Sequence, residues 1–116
     1  MYMCSRGDIY KVNLGISEGS SIQGGYRPVV VISNDKNNEH SNVITVIPLT
    51  SKIKKTFLPT HVTISGFGLA KESQAQAEQI RQVNKRELSD KNFIGHIKDT
   101  AIMDKIIKAV VCQISE

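Results

Sequence analysis

Gly24-Gly25-Tyr26-Arg27-Pro28-Val29-Val30-Val31-Ile32 is the run from which the backbone class of this chain is read. Two glycines admit positive φ, and Pro28 drives the residue before it out of the helical region into extended geometry. Four β-branched residues then follow without interruption, the composition of a strand buried on both faces. Arg27 is thereby held at a strand mouth, under tighter backbone control than a loop would give. Its guanidinium carries five donors in a planar fork, which suits phosphate or carboxylate oxygens at any physiological pH. Taken singly, Gly-Tyr-Arg-Pro fits a solvated strand end as well as a phosphate ligand.

Outward from this strand the pattern stays β for most of the chain. Tyr10, Val12 and Leu14 alternate with Ile9, Lys11 and Asn13 to give a first strand, which Gly15 ends. The stretch from Ile16 to Gly25 is rich in Gly and Ser and reads as a long loop of the kind that serves binding. Asn34 to Asn38 reads as a turn into a third strand from Asn42 to Leu49, where Pro48 suggests an edge or a bulge. His61 to Ile64 alternates as a fourth strand, and Gly66-Phe67-Gly68 turns the chain. Ser73 to Val83 continues as polar-alternating strand, in one piece or two, with Glu78 inside it. A mid-strand carboxylate is either exposed, paired with the nearby Arg81, or functional. A short helical turn is compatible with Lys85 to Asp90. From Asp99 the apolar period lengthens, since Ile102, Met103, Ile106, Ile107, Val110, Val111 and Ile114 recur at helical spacing behind an Asp99 or Thr100 cap. That stripe is core or dimer packing. The expected architecture is therefore mainly β (α+β).

At 116 residues the chain is expected to form one domain, 1–116, with a core of its own. Aromatic residues make up only 5%, which argues against a broad base-stacking platform and leaves charge to carry any nucleic-acid binding. Residues 1–50 hold four basic and four acidic side chains, and residues 51–116 hold eleven and seven, so the whole excess of +4 lies in the second part. There Lys52, Lys54 and Lys55 fall together, as do Lys85 and Arg86, suiting a polyanion or an acidic peptide. Cys4 and Cys112 lack metal-ligand spacing and read as reduced packing residues. No apolar run approaches the ~20 residues of a membrane span, and no signal peptide is evident, so a cytoplasmic protein is expected.

Six blocks together change the reading. Arg6-Gly7-Asp8-Ile9-Tyr10, Gln23-Gly24-Gly25-Tyr26-Arg27-Pro28-Val29, Asn34-Asp35, Pro48-Leu49-Thr50-Ser51, Leu58-Pro59-Thr60-His61 and Glu78-Gln79-Ile80-Arg81 stand in the order and spacing of the MazF/PemK toxin family, which the chain resembles over nearly its whole length. The resemblance implies a small, strongly bent β-barrel with a C-terminal helix, CcdB/Kid/MazF-like, forming a homodimer. It also implies a metal-independent, cofactor-free endoribonuclease that cuts single-stranded RNA at short sequences. A cognate MazE-like antitoxin is the implied partner, with operator DNA reached only through the antitoxin complex.

By the same resemblance Arg27 and Thr50 match the family's catalytic arginine and threonine, and Glu78 matches the acidic base of one branch. Ser21, Gln23, Ser51, Lys52, Leu58, Pro59, Thr60, His61 and Gln79 are the implied RNA contacts. The chain departs from relatives at Ile22, where many carry an acidic residue, at Gln76, where one branch has an arginine implicated in proton transfer, and at Ser21, that branch's histidine position. The alternative is a CcdB-like toxin that binds gyrase without nuclease activity, and a third reading is an RNA-binding module without catalysis. A gyrase binder has no need of Arg27 with Thr50.

Overall fold

The computed structural model describes residues 4–15, 23–53 and 58–115. Seven strands, β1 (Asp8–Asn13), β2 (Tyr26–Val31), β3 (Val43–Thr50), β4 (His61–Ile64), β5 (Ser73–Gln76), β6 (Arg81–Asn84) and β7 (Phe93–His96), form one antiparallel sheet. Its order is β4-β5-β3-β2-β1-β7, with β6 paired to β3. A short helix α1 (Asp35–His40) joins β2 to β3, and α2 (Thr100–Ile114) closes the chain. The sheet curls into a half-barrel. Buried side chains form two clusters, one around Ile9, Val30, Ile47, Leu49 and Ile106 that includes the helix, and one around Tyr10, Val12, Val29, Ile44 and Leu88.

The strand β3 organises this curl. Along one edge it pairs with β2, through Val29↔Pro48, Val30↔Ile47 and Val31↔Val46. Along the other it pairs first with β6, from Val43↔Asn84 to Val46↔Arg81, and then with β5, through Leu49↔Ala75 and Thr50↔Gln74. Pro48 falls where β3 leaves β6 and takes up β5. The strand is central rather than an edge, and the break between partners is where a missing N–H donor is tolerated. Two residues outward from Val29↔Pro48 on each strand stand Arg27 and Thr50, which the alternation of side chains puts on one face.

Three readings of the sequence need correction. Asn34 to Asn38 is not a plain turn: Asn34 caps α1, its side chain accepting from the Asn37 N–H at 2.9 Å. Asn38 is buried there, and its amide donates to the Ser33 carbonyl at 2.8 Å. This helix has no apolar stripe to announce it, because it is held by caps and side-chain amides. Glu78 lies not in mid-strand but in a 3₁₀ turn, Ala77–Gln79, that separates β5 from β6. Cys4 is a buried packing residue, whereas Cys112 is exposed. The strand β7 carried no signal in its four residues and exists by pairing with β1, through Asp8↔His96 and Ile9↔Gly95. The helical turn near Lys85 to Asp90 is present as Lys85–Glu87 and Asp90–Asn92.

The helix α2 is capped by Asp99, whose carboxylate accepts from the Ala101 N–H at 2.9 Å. Met103, Ile106 and Ala109 are its buried face, while Val111 and Ile114 remain exposed. Among the described residues no helix is long and apolar enough to cross a membrane.

Candidate active site

Arg27 is anchored by its own turn. Gly25, at φ +75°, lets the chain fold back so that the Gly24 carbonyl accepts from Arg27 Nε at 2.9 Å. This bond uses the guanidinium's inner donor and leaves both terminal amino groups without a partner among the described residues, the end of the fork that grips a phosphate. Thr50 Oγ1 accepts from the Lys52 N–H at 3.1 Å, so the local turn bond expected of a threonine forms. The hydroxyl proton stays available to donate. Arg27, Thr50, Ser51 and Lys52 border one cleft of about 700 Å³. Lys54, Lys55 and Ser21 lie outside the described residues.

Beyond Thr50, strand alternation builds a polar face. The pairs Thr50↔Gln74, Thr63↔Gln74 and His61↔Gln76 set Thr50, Gln74, Thr63, Gln76 and His61 on one side of the β3-β5-β4 sheet. Leu49, Ala75, Val62 and Ile64 face the other way, into the core beneath α2. All four residues of β5, Ser73 to Gln76, are buried although three are polar, and burial of polar side chains demands partners. Gln76 Nε2 donates to Gln74 Oε1 at 2.9 Å, and Gln23 Nε2 donates to Gln76 Oε1 at 3.3 Å. The Gln23 backbone N–H also donates to Gln79 Oε1 at 3.0 Å. A row of amides thus runs from the β1-β2 connection to the strand beside Thr50. Sequence reasoning did not place Gln74 in the site and noted Gln76 only as a departure. The signal was there, in a Ser-Gln-Ala-Gln strand too polar to be ordinary core.

Glu78 and His61 form a second polar centre. The Glu78 carboxylate receives the His61 Nε2–H at 2.7 Å, and the imidazole is only 2% exposed. Burial pushes the Glu78 carboxyl upward, but hydrogen bonds from His61, the backbone and Thr60 outweigh it and hold the pKa below the ordinary value. An ionised Glu78 favours a hydrogen on the facing Nε2, and Nδ1 is the ring's other polar atom. That Nδ1, like Gln23 Oε1, is buried without a partner among the described residues. Such orphans are rare in folded proteins and suit polar groups of a ligand. The partner of Glu78 is therefore His61 rather than Arg81, which donates to the Leu14 carbonyl at 3.4 Å.

The site residues consequently fall in two neighbouring groups. Arg27 and Thr50 share the cleft; Glu78 and Gln79 line a separate hollow with Ile80, Arg81 and Gln82. Leu58 and Pro59 are exposed beside the second group, and the Thr60 carbonyl accepts from the Ala77 N–H at 2.9 Å, tying that segment to the Glu78 turn. The other two histidines are elsewhere. His40 is exposed beside Glu39, and His96 Nδ1 lies 2.8 Å from the buried Asp8 carboxylate.

Residues 5–114 match the family model described as PemK-like, MazF-like toxin of type II toxin-antitoxin system. The chain is 43% identical over 107 residues to the endoribonuclease EndoA of Bacillus subtilis (strain 168), covering 90% of this chain and 89% of that protein. It is 44% identical over 91 residues to the endoribonuclease MazF of Staphylococcus saprophyticus, covering 77% of this chain and 75% of that one. Among solved structures it is similar to a mycobacterial endoribonuclease in complex with its cognate antitoxin, with TM-score 0.74 and 26% identity over 94% of this chain and 92% of that one.

Proposed function

Because this chain belongs to the PemK-like, MazF-like toxin family of type II toxin-antitoxin systems, we propose that it is a sequence-specific endoribonuclease that cleaves single-stranded messenger RNA and so inhibits translation and growth. The CcdB-like gyrase binder falls away, since the match runs to PemK and MazF toxins and to relatives named endoribonucleases. The observation that supports the activity best is Arg27 tethered through Nε to Gly24, its terminal amino groups unpartnered among the described residues, and bordering the same cleft as Thr50.

RNA supplies its own nucleophile, so the protein has only to position it, take its proton and stabilise charge on phosphorus. The ribose 2′-oxygen bonds to phosphorus as its proton leaves, and the phosphorus–5′-oxygen bond breaks as the leaving oxygen takes up a proton from solvent. The products are a 2′,3′-cyclic phosphate and a 5′-hydroxyl. Arg27 faces the phosphorane oxygens, and Thr50 donates its hydroxyl to the same phosphate. A fixed donor of this kind contributes on the order of 3 kcal/mol to the transition state. Glu78, kept ionised by His61, is the assigned proton acceptor. Gln23, Gln79, His61, Ser51, Lys52 and the Leu58-Pro59-Thr60 segment line the path of the strand, with Ser21 assigned to it from the sequence alone. The chemistry calls for no cofactor and no metal.

A MazE-like antitoxin is the expected partner, as a cognate antitoxin is for the mycobacterial relative. Its acidic tail would compete with RNA for the basic cleft, and operator DNA would be reached only through that complex. The exposed Val111 and Ile114 on α2 support a homodimer, and a cytoplasmic location follows from the substrate.

The test is incubation of purified protein with a long single-stranded RNA and a chelator, followed by mapping of the new ends. Discrete cuts that vanish in Arg27→Ala, in Thr50→Ala and on 2′-deoxy substitution at the cut site are expected. Intact RNA, or cleavage that survives the 2′-deoxy sugar, would overturn the reading.

A further inference from the structure

The cleft that joins Arg27 to Thr50 contains a side chain that the chemistry above leaves idle, the phenol ring of Tyr26. Tyr26 is 66% exposed, an unusual state for a ring that could bury most of its surface. The contrast with Tyr10 is instructive. That ring is buried and packs edge-on against Phe93, with centroids 5.4 Å apart. Tyr26 instead touches a cation, the Lys11 ammonium 5.9 Å from its ring centroid. The contact follows from register, because Asn13 lies opposite Tyr26 and Lys11 is its diagonal neighbour on β1. A cation on one side fixes the ring and leaves the other face open. Lys52 and Lys71 border the same cleft, no carboxylate among the described residues does, and Leu49 and Ile94 add apolar lining.

We infer that Tyr26 is the stacking platform for the nucleobase adjoining the scissile phosphate, with Lys11 as the residue that orients its ring. The inference rests on the ribonuclease reading and deepens it. Tyr26 and Arg27 are successive residues at the start of β2, so their side chains leave opposite faces of the strand while bordering one cleft. A strand whose phosphate is gripped by Arg27 therefore passes over the end of β2, and its next base meets the ring. Cation and aromatic face side by side are the two elements of single-strand binding. Every base offers a π-face, so the platform adds affinity without choosing sequence. The sequence predicts no array of stacking rings, and one ring placed at the cleft meets the need.

The test uses the full-length protein and an RNA oligonucleotide spanning a mapped cut, made non-cleavable by a 2′-deoxy sugar, in parallel with its cleavable form. Tyr26→Ala is expected to weaken binding of the non-cleavable RNA roughly ten-fold, and Tyr26→Phe to stay within about two-fold of the parent. Cleavage by Tyr26→Ala should show KM raised by the same factor with kcat and the cut positions unchanged, as loss of uniform binding requires. Removing the base next to the cut, as an abasic nucleotide, should weaken the parent protein and leave Tyr26→Ala unaffected. Lys11→Met should lose part of the same affinity. Equal losses on the abasic RNA in both proteins, unchanged affinity in Tyr26→Ala, or a Tyr26→Ala protein reduced to monomer in sedimentation would each overturn the inference while leaving the nuclease intact. A parent protein that cuts no RNA would instead overturn the reading beneath it.

Discussion

Arg27 is useful because of what restrains it. The single bond from its Nε to the Gly24 carbonyl aims the fork, which a lysine cannot reproduce with its one rotating ammonium. Arg27→Lys should therefore recover little of the roughly 10²- to 10³-fold loss in kcat expected for Arg27→Ala, measured in single-turnover cleavage. Glu78 yields a prediction with a definite sign. Its folded pKa lies below the ordinary 4.5, so the stability it contributes is full above that value and is lost as pH falls through the folded one. Glu78→Gln should lower the unfolding free energy at neutral pH, read by urea titration, by on the order of 0.2–1 kcal/mol, given its partial exposure, and the gap should close in acid. A gap that widens in acid would mean the carboxyl is held up instead of down. At this scale the sequence was legible where a bond is local, as in the turn that Thr50 Oγ1 makes with the Lys52 N–H. It was silent on the Glu78–His61 pair, because seventeen residues separate them and only the 3₁₀ turn after β5 brings the two together.

Elements with a strong period announced themselves. The alternation of β1, the β-branched run of β2 and the 3.6-residue stripe of α2 each reflect a face pressed into the core, which is why they could be read. Neither α1 nor β7 has such a face. The first is made by an asparagine cap and a buried amide, the second by an open edge of β1. What holds β7 in place is also a crossing of unusual closeness. A Cβ built on Gly95 would come within 1.9 Å of the Phe67 carbonyl oxygen, and one on Gly68, at φ +88°, within 2.3 Å of the Ile94 carbonyl oxygen. Backbone meets backbone there, so no side chain can swing aside. Gly95→Ala should lower Tm by at least about 5 °C, from the 1–3 kcal/mol typical of overpacking and often more. Calorimetry showing no shift would mean that the Phe67 turn lifts off β7 freely.

In the whole molecule the core and the polar face are separable in energy. Ile106 is fully buried in the apolar cluster with Ile64 and Ala75, on the side of the sheet away from the polar face, so Ile106→Ala should cost about 2–5 kcal/mol of stability. Its cleavage rate per folded molecule should match the parent's, and a fall in kcat beyond the unfolded fraction would tie the helix to the chemistry. The β2/β3 ladder has a consequence of another kind. Arg27 and Thr50 share a face in one of the two parities open to that pairing, since a slip of one residue turns every side chain of the strand over. A mis-seated β3 would therefore be silent, with no graded loss on the way. The sheet would thus act as a parity check: a molecule with β3 seated one residue out loses the shared face outright, and cleavage per chain would count correctly threaded copies.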